Sequence, residues 1–130
     1  MFDKFRDECG VFGIFGHPEA SNLAYLGLYA LQHRGQESAG IAASDGHLVR
    51  VSKAMGYVNE AFDTPTLARL PGRMAVGHVR SSTAGGRRLA NAQPILVDSV
   101  HGQLAGTHNG NPVHPTEPRV LAGLDWELST

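Results

Sequence analysis

Cys9 is the single cysteine of the chain, set between a charged octapeptide, residues 1–8, and the apolar, glycine-spaced run of residues 10–16. Cleavage of the Glu8-Cys9 bond would leave a cysteine carrying both a thiol and a free α-amine. An α-amine titrates near neutral pH, so its neutral form can take the thiol proton, and one residue then supplies nucleophile and base. Uncut and packed among apolar neighbours, the same residue would be an inert small hydrophobe.

Three other segments hold residue types suited to chemistry. Gln32-His33-Arg34-Gly35-Gln36-Glu37-Ser38 reads on composition as a helix end, with Gly35 as the left-handed residue and the charges solvated. In Gly77-His78-Val79-Arg80-Ser81-Ser82-Thr83-Ala84-Gly85-Gly86, Arg80 falls at a strand end, where its planar fork can meet a carboxylate while the hydroxyl- and glycine-bearing loop closes round it. The plainer reading is a surface arginine beside an exposed loop. His108-Asn109-Gly110-Asn111 offers a side-chain amide and an unobstructed backbone N–H, the two donor types of an oxyanion hole, although Asn-Gly is also a common turn dipeptide.

The elements that must position these residues follow from pattern and punctuation. Residues 10–16 read as a buried strand with Cys9 at its start. Ser21 caps a helix over residues 22–33 that Gly35 ends. Its two apolar stripes, Leu23, Leu26, Ala30 and Ala24, Leu28, Leu31, predict a broad buried face, and Gly27 between them admits a close neighbour. Residues 39–44 and 47–53 form a hairpin turning at Asp45-Gly46, and Thr64 as cap with Pro65 in the first turn starts a short helix through Leu70. Residues 73–80 form a strand, 81–93 a polar loop, and 95–100 with 103–108 a second hairpin turning at His101-Gly102. Pro112, Pro115 and Pro118 argue against regular structure in the tail.

Composition bounds the rest. The 130 residues, 42% hydrophobic and 18% charged, suit one compact domain or part of one. A net charge of -1 with interspersed signs gives no footprint for nucleic acid or an anionic membrane. No run reaches the roughly 18 apolar residues of a membrane span. The N-terminus lacks the apolar core of a secretory signal, and a lone cysteine forms no internal disulfide, so the cytoplasm is the expected compartment. The seven histidines show no metal-site spacing.

In order and spacing, Glu8-Cys9-Gly10-Val11-Phe12-Gly13-Ile14, residues 31–41 (LQHRGQESAGI), residues 77–85 and His108-Asn109-Gly110-Asn111 resemble the N-terminal class II glutaminase domain of the amidophosphoribosyltransferase family. That family moves glutamine nitrogen onto phosphoribosyl pyrophosphate at the first committed step of purine synthesis. The resemblance covers most of residues 8–111. It implies an α+β fold, the four-layer αββα sandwich of the N-terminal nucleophile hydrolases, incomplete in this chain. It divides the chain into a propeptide (1–8), a partial type 2 glutamine amidotransferase domain (9–111) and a divergent Pro-rich tail (112–130).

The resemblance also implies roles: Cys9 as nucleophile, Asn109 and Gly110 as oxyanion donors, Arg80 on the glutamine α-carboxylate, and Arg34 and Gly35 lining the pocket. The phosphoribosyltransferase half, with its Mg²⁺ and, in some members, an iron–sulfur cluster, falls outside this chain, which needs no cofactor of its own. The parent enzyme binds glutamine and phosphoribosyl pyrophosphate and forms a homo-oligomer. Ser81 departs from the aromatic residue usual after the arginine, and no downstream aspartate segment for the glutamine α-amine is recognisable. The missing part of the sandwich should leave strand edges and an apolar face uncovered. Glucosamine phosphate or asparagine synthesising amidotransferases share the cysteine and the Asn-Gly pair; a non-catalytic binding module or truncated fragment is the alternative from another class.

Overall fold

The computed structural model describes residues 9–32, 36–80 and 92–107. Along the chain run β1 (Cys9–Phe15), α1 (Ala20–Leu31), β2 (Ser38–Ser44), β3 (Val49–Met55), α2 (Val58–Ala61), α3 (Thr64–Ala68), β4 (Met74–Arg80), β5 (Ile95–Ser99) and β6 (Gly102–Gly106). Four strands pair antiparallel in the order β1-β4-β2-β3, and β5 pairs with β6 in a second, two-stranded sheet.

Strand alternation divides the first sheet into two faces with different work. One carries Phe12, Ile14, Val79, Ala75, Ala39, Ile41 and Ala43, which pack with Ala20, Ala24 and Leu28 of α1 into the core. Phe12 fills the notch that Gly27 leaves in the helix, as the absent side chain there allows, and Leu28 lies over Gly77 in the same way. The other face carries Cys9, Arg80, His78, Ser38, Gly40 and Lys53. Residues 92–94 lie over its middle: the Lys53 Nζ donates to the carbonyls of Ala92 (2.9 Å) and Pro94 (3.4 Å). The second sheet meets the first along β3, where Gln103 Oε1 accepts the Val49 N–H at 2.8 Å.

One helix layer and two sheets are thus present among the described residues, and apolar surface is left uncovered as expected. Phe15 is 82% exposed and Val100 95%, and Val11, Ile95, Leu96 and Val97 are also exposed.

Each expected strand is found, within two residues at its ends, but several details differ. The first helix starts at Ala20 rather than after Ser21, which is buried inside it and donates to the Leu67 carbonyl at 3.4 Å. It ends at Leu31, because Gln32 turns extended (φ -66°, ψ 150°) and its side-chain oxygen accepts the Val58 N–H at 3.0 Å. Its buried stripe is narrower than predicted, since Leu26, Ala30 and Leu31 are exposed. Asp63, not Thr64, caps α3, accepting from the Thr66 N–H (2.9 Å) and hydroxyl (2.6 Å). The four-residue α2 was not expected, and the second hairpin turns at Val100-His101 rather than His101-Gly102.

Candidate active site

Antiparallel pairing brings two of the candidate residues together. Cys9 opens β1, Arg80 closes β4, and the register sets them directly opposite each other. Ser38, first residue of β2, faces Arg80 from its other side, so Cys9, Arg80 and Ser38 form one row across three strands. Directly opposed residues in such a ladder have Cα atoms about 4.5–5.5 Å apart. Cys9 is partly buried and its thiol is not in a disulfide.

Arg80 is held from the segment before β2. The Glu37 N–H donates to the Arg80 carbonyl at 2.7 Å, and Glu37 Oε1 lies 3.3 Å from Arg80 Nε, with the two side chains 4% and 13% exposed. That segment is itself anchored: the Gly56 N–H donates to the Glu37 carbonyl at 2.9 Å, and Gln36 Nε2 donates to the Gly56 carbonyl at 2.8 Å. Gln36, Glu37 and Ser38 are all buried, which corrects the composition-based picture of solvated charges after the helix. His78 is fully buried one row further in, between Val11 of β1 and Gly40 of β2 and on the face of Arg80.

Arg34, Gly35, Asn109 and Gly110 lie outside the described residues. Glu37 and His78 belong to the neighbourhood of Cys9 and Arg80, yet sequence reasoning passed over both. The signals were present. A glutamate abutting the small-residue strand SAGIAAS cannot be solvated once that strand is buried, and a histidine two residues before a strand-end arginine must share its face.

A pocket of about 310 Å³ lies at the Ala20 end of α1, lined by residues including Glu19, Ser21, Asn22, Thr64 and Pro71. Cys9 is at the other end, where Leu31 lies over Gly10. Among the described residues, no group of three or more His, Cys, Asp or Glu side chains could hold a metal, and no helix is long and apolar enough to cross a membrane.

No family model matches the chain. The amidophosphoribosyltransferase of Synechococcus elongatus is 48% identical over 130 residues, which is 98% of this chain and 26% of that protein. The Bacillus subtilis amidophosphoribosyltransferase is 50% identical over 113 residues, 86% of this chain and 24% of the relative. Among solved structures, the allosteric regulatory enzyme of purine biosynthesis matches with a TM-score of 0.74 and 46% identity, over 88% of this chain and 25% of that one. The B. subtilis glutamine phosphoribosylpyrophosphate amidotransferase, complexed with ADP and GMP, matches with a TM-score of 0.71 and 42% identity, over 90% and 25%.

Fold and row together define the class: an incomplete sandwich of the N-terminal nucleophile type, with a cysteine opening its first strand. The chain spans about a quarter of the length of the relatives it matches. It is a relative of the amidophosphoribosyltransferases and corresponds to their N-terminal part.

Proposed function

We propose that this chain carries the glutaminase site of an amidophosphoribosyltransferase, releasing ammonia from glutamine. The observation that carries the reading is the register that sets Cys9 opposite Arg80 on one face of the sheet. In an extended glutamine, the side-chain amide carbon and the carboxylate carbon are about 5 Å apart, four carbon–carbon bonds away. Neighbouring strands stand at the same spacing of about 5 Å. A nucleophile on one strand and a carboxylate receptor on the next therefore suit this amino acid.

Removal of residues 1–8 frees the Cys9 α-amine. The amine takes the thiol proton as sulfur attacks the amide carbon, and the resulting oxyanion is held by the Asn109 amide and the Gly110 N–H. Collapse breaks the carbon–nitrogen bond, the proton passes to the leaving nitrogen, and ammonia and a thioester result. Water then cleaves the thioester to glutamate and restores the thiol. Arg80 binds the α-carboxylate, and Arg34 and Gly35 line the pocket. In the full-length parent, a homo-oligomer, the ammonia is consumed with phosphoribosyl pyrophosphate in the Mg²⁺-dependent half, which bears an iron–sulfur cluster in some members. A lone cysteine suits a reducing compartment, the cytoplasm.

The test is the intact mass of the purified chain before and after treatment with a diazo-ketone analogue of glutamine. Loss of residues 1–8 with one adduct on Cys9 supports the reading. An uncut chain that the analogue does not label refutes it, and glutamine binding without labelling identifies a non-catalytic module.

A further inference from the structure

We propose that Glu37 is a positioning residue, whose carboxylate, at ion-pair distance from the Nε side of Arg80, orients the guanidinium and so aims the end-on fork at the substrate carboxylate. This rests on the glutaminase reading and adds the residue that makes Arg80 a directional receptor. A guanidinium has two separate edges, Nε with one terminal nitrogen and the two terminal nitrogens together, so it can serve two carboxylates at once. Glu37 Oε1 lies 3.3 Å from Nε, an ion-pair distance without hydrogen-bond alignment, so the pair acts through charge.

The arrangement is rigid on the glutamate side. Its N–H donates to the carbonyl of the same Arg80, its carbonyl accepts from Gly56, and its side chain is 4% exposed. Both partners are thus fixed to one backbone frame, and the pair is largely removed from water. A buried ion pair contributes little net stability, because desolvation of both charges offsets their attraction. What it does provide is orientation. Left alone, a long arginine side chain at a strand end would sample many rotamers, and each binding event would have to order it.

The experiment compares the full chain with Glu37→Gln and Glu37→Asp. The probe is the diazo-ketone glutamine analogue, which retains the carboxylate; the control is iodoacetamide, which has none. Labelling of Cys9 is followed by intact mass over a range of probe concentrations. Losing one charge-assisted contact should raise the half-saturating analogue concentration of Glu37→Gln by about tenfold or more, and the limiting rate should stay within about twofold. Glu37→Asp keeps the charge but draws it back by one methylene, so its shift should be about threefold. This variant carries the test if Glu37→Gln loses its cooperative melt. Iodoacetamide labelling should be unchanged in both.

Wild-type saturation behaviour in both variants overturns the proposal and leaves the glutaminase reading standing. A parallel change with iodoacetamide overturns it too, because the effect would then be on the fold around Cys9. Absence of saturable labelling in the unaltered chain refutes the glutaminase reading and this one with it.

Discussion

Replacing Gly40 with alanine should cost far more than one methyl group normally does. Gly40 lies in β2, an interior strand with β3 on one side and β4 on the other, so it cannot retreat. An added Cβ would overlap the Gln93 carbonyl oxygen and lie 2.9 Å from both the Gln93 carbonyl carbon and Pro94 Cδ. Carbon atoms in contact prefer about 3.5–4.0 Å, so residues 93–94 would have to lift by at least roughly 0.6 Å. They are not free to do so, because Lys53 Nζ ties the carbonyls of Ala92 and Pro94 to the face below. Overpacking of this kind typically costs about 1–3 kcal/mol, and a fixed backbone on both sides favours the upper end. The usual gain of about 0.5–1 kcal/mol from replacing a strand glycine is of opposite sign and smaller. At about 4 °C per kcal/mol, a loss of about 3 kcal/mol lowers the melting temperature by roughly 12 °C.

Urea unfolding followed by far-ultraviolet circular dichroism would measure this in the parent chain, Gly40→Ala, Lys53→Met and the double variant. If Lys53 is the tie, its removal lets the segment rise, and the two substitutions become less than additive by about 1 kcal/mol. A Gly40→Ala chain as stable as its parent refutes the overlap argument. Additivity within about 0.5 kcal/mol refutes the part played by Lys53.

Asn109→Ala should slow thioester formation by about 10² to 10³, read as the limiting rate of Cys9 labelling by the analogue; an unchanged rate removes Asn109 from the oxyanion hole. Arg80→Lys keeps the charge but loses the fork, so half-saturation by the analogue should rise about tenfold or more with iodoacetamide labelling unaffected. Acid should also destabilise the fold. Hydrogen bonds from the Leu48 and His47 N–H groups and from Arg50 hold the Asp45 carboxyl far below the usual carboxylate range, and the Thr66 hydroxyl and N–H depress that of Asp63. Both values are depressed in the folded chain, so the stabilisation is complete above the ordinary value of 3.8 and is lost as pH falls below it. Thermal melts from about pH 5 to pH 2 should show this acid limb, and Asp45→Asn should flatten it.

The strands were legible because β-branched and aromatic runs are bounded by glycine and by turn dipeptides such as Asp45-Gly46, whose glycine has φ +93°. Errors gathered where a distant residue overrides a local rule. Gln32 leaves the helix to receive the Val58 N–H, so the helix stops before Gly35 is reached. At four residues, α2 is too short to show a period, and its start is fixed by Glu60 accepting the Tyr57 N–H. Cys9 and Arg80 stood out as residue types, but their juxtaposition comes from strand order, which brings β4 beside β1. Glu37 was hidden for the same reason: its partner is on a strand far along the sequence.

The pairing of β1 with β4 makes α1 the guardian of alignment for chemistry on the opposite side of the sheet. Among the described residues, β1 is an edge strand, paired on one side only. Were it to slide by one residue, every side chain on it would change sides, and Cys9 would point at the helix with Gly10 opposite Arg80. What resists the slide is the seat of Phe12 at Gly27 and of Leu31 over Gly10. A bulkier residue at position 27 touches neither nucleophile nor arginine. It would nonetheless push the edge strand out of phase, so that the two reactive groups, each chemically intact, no longer met over the same substrate.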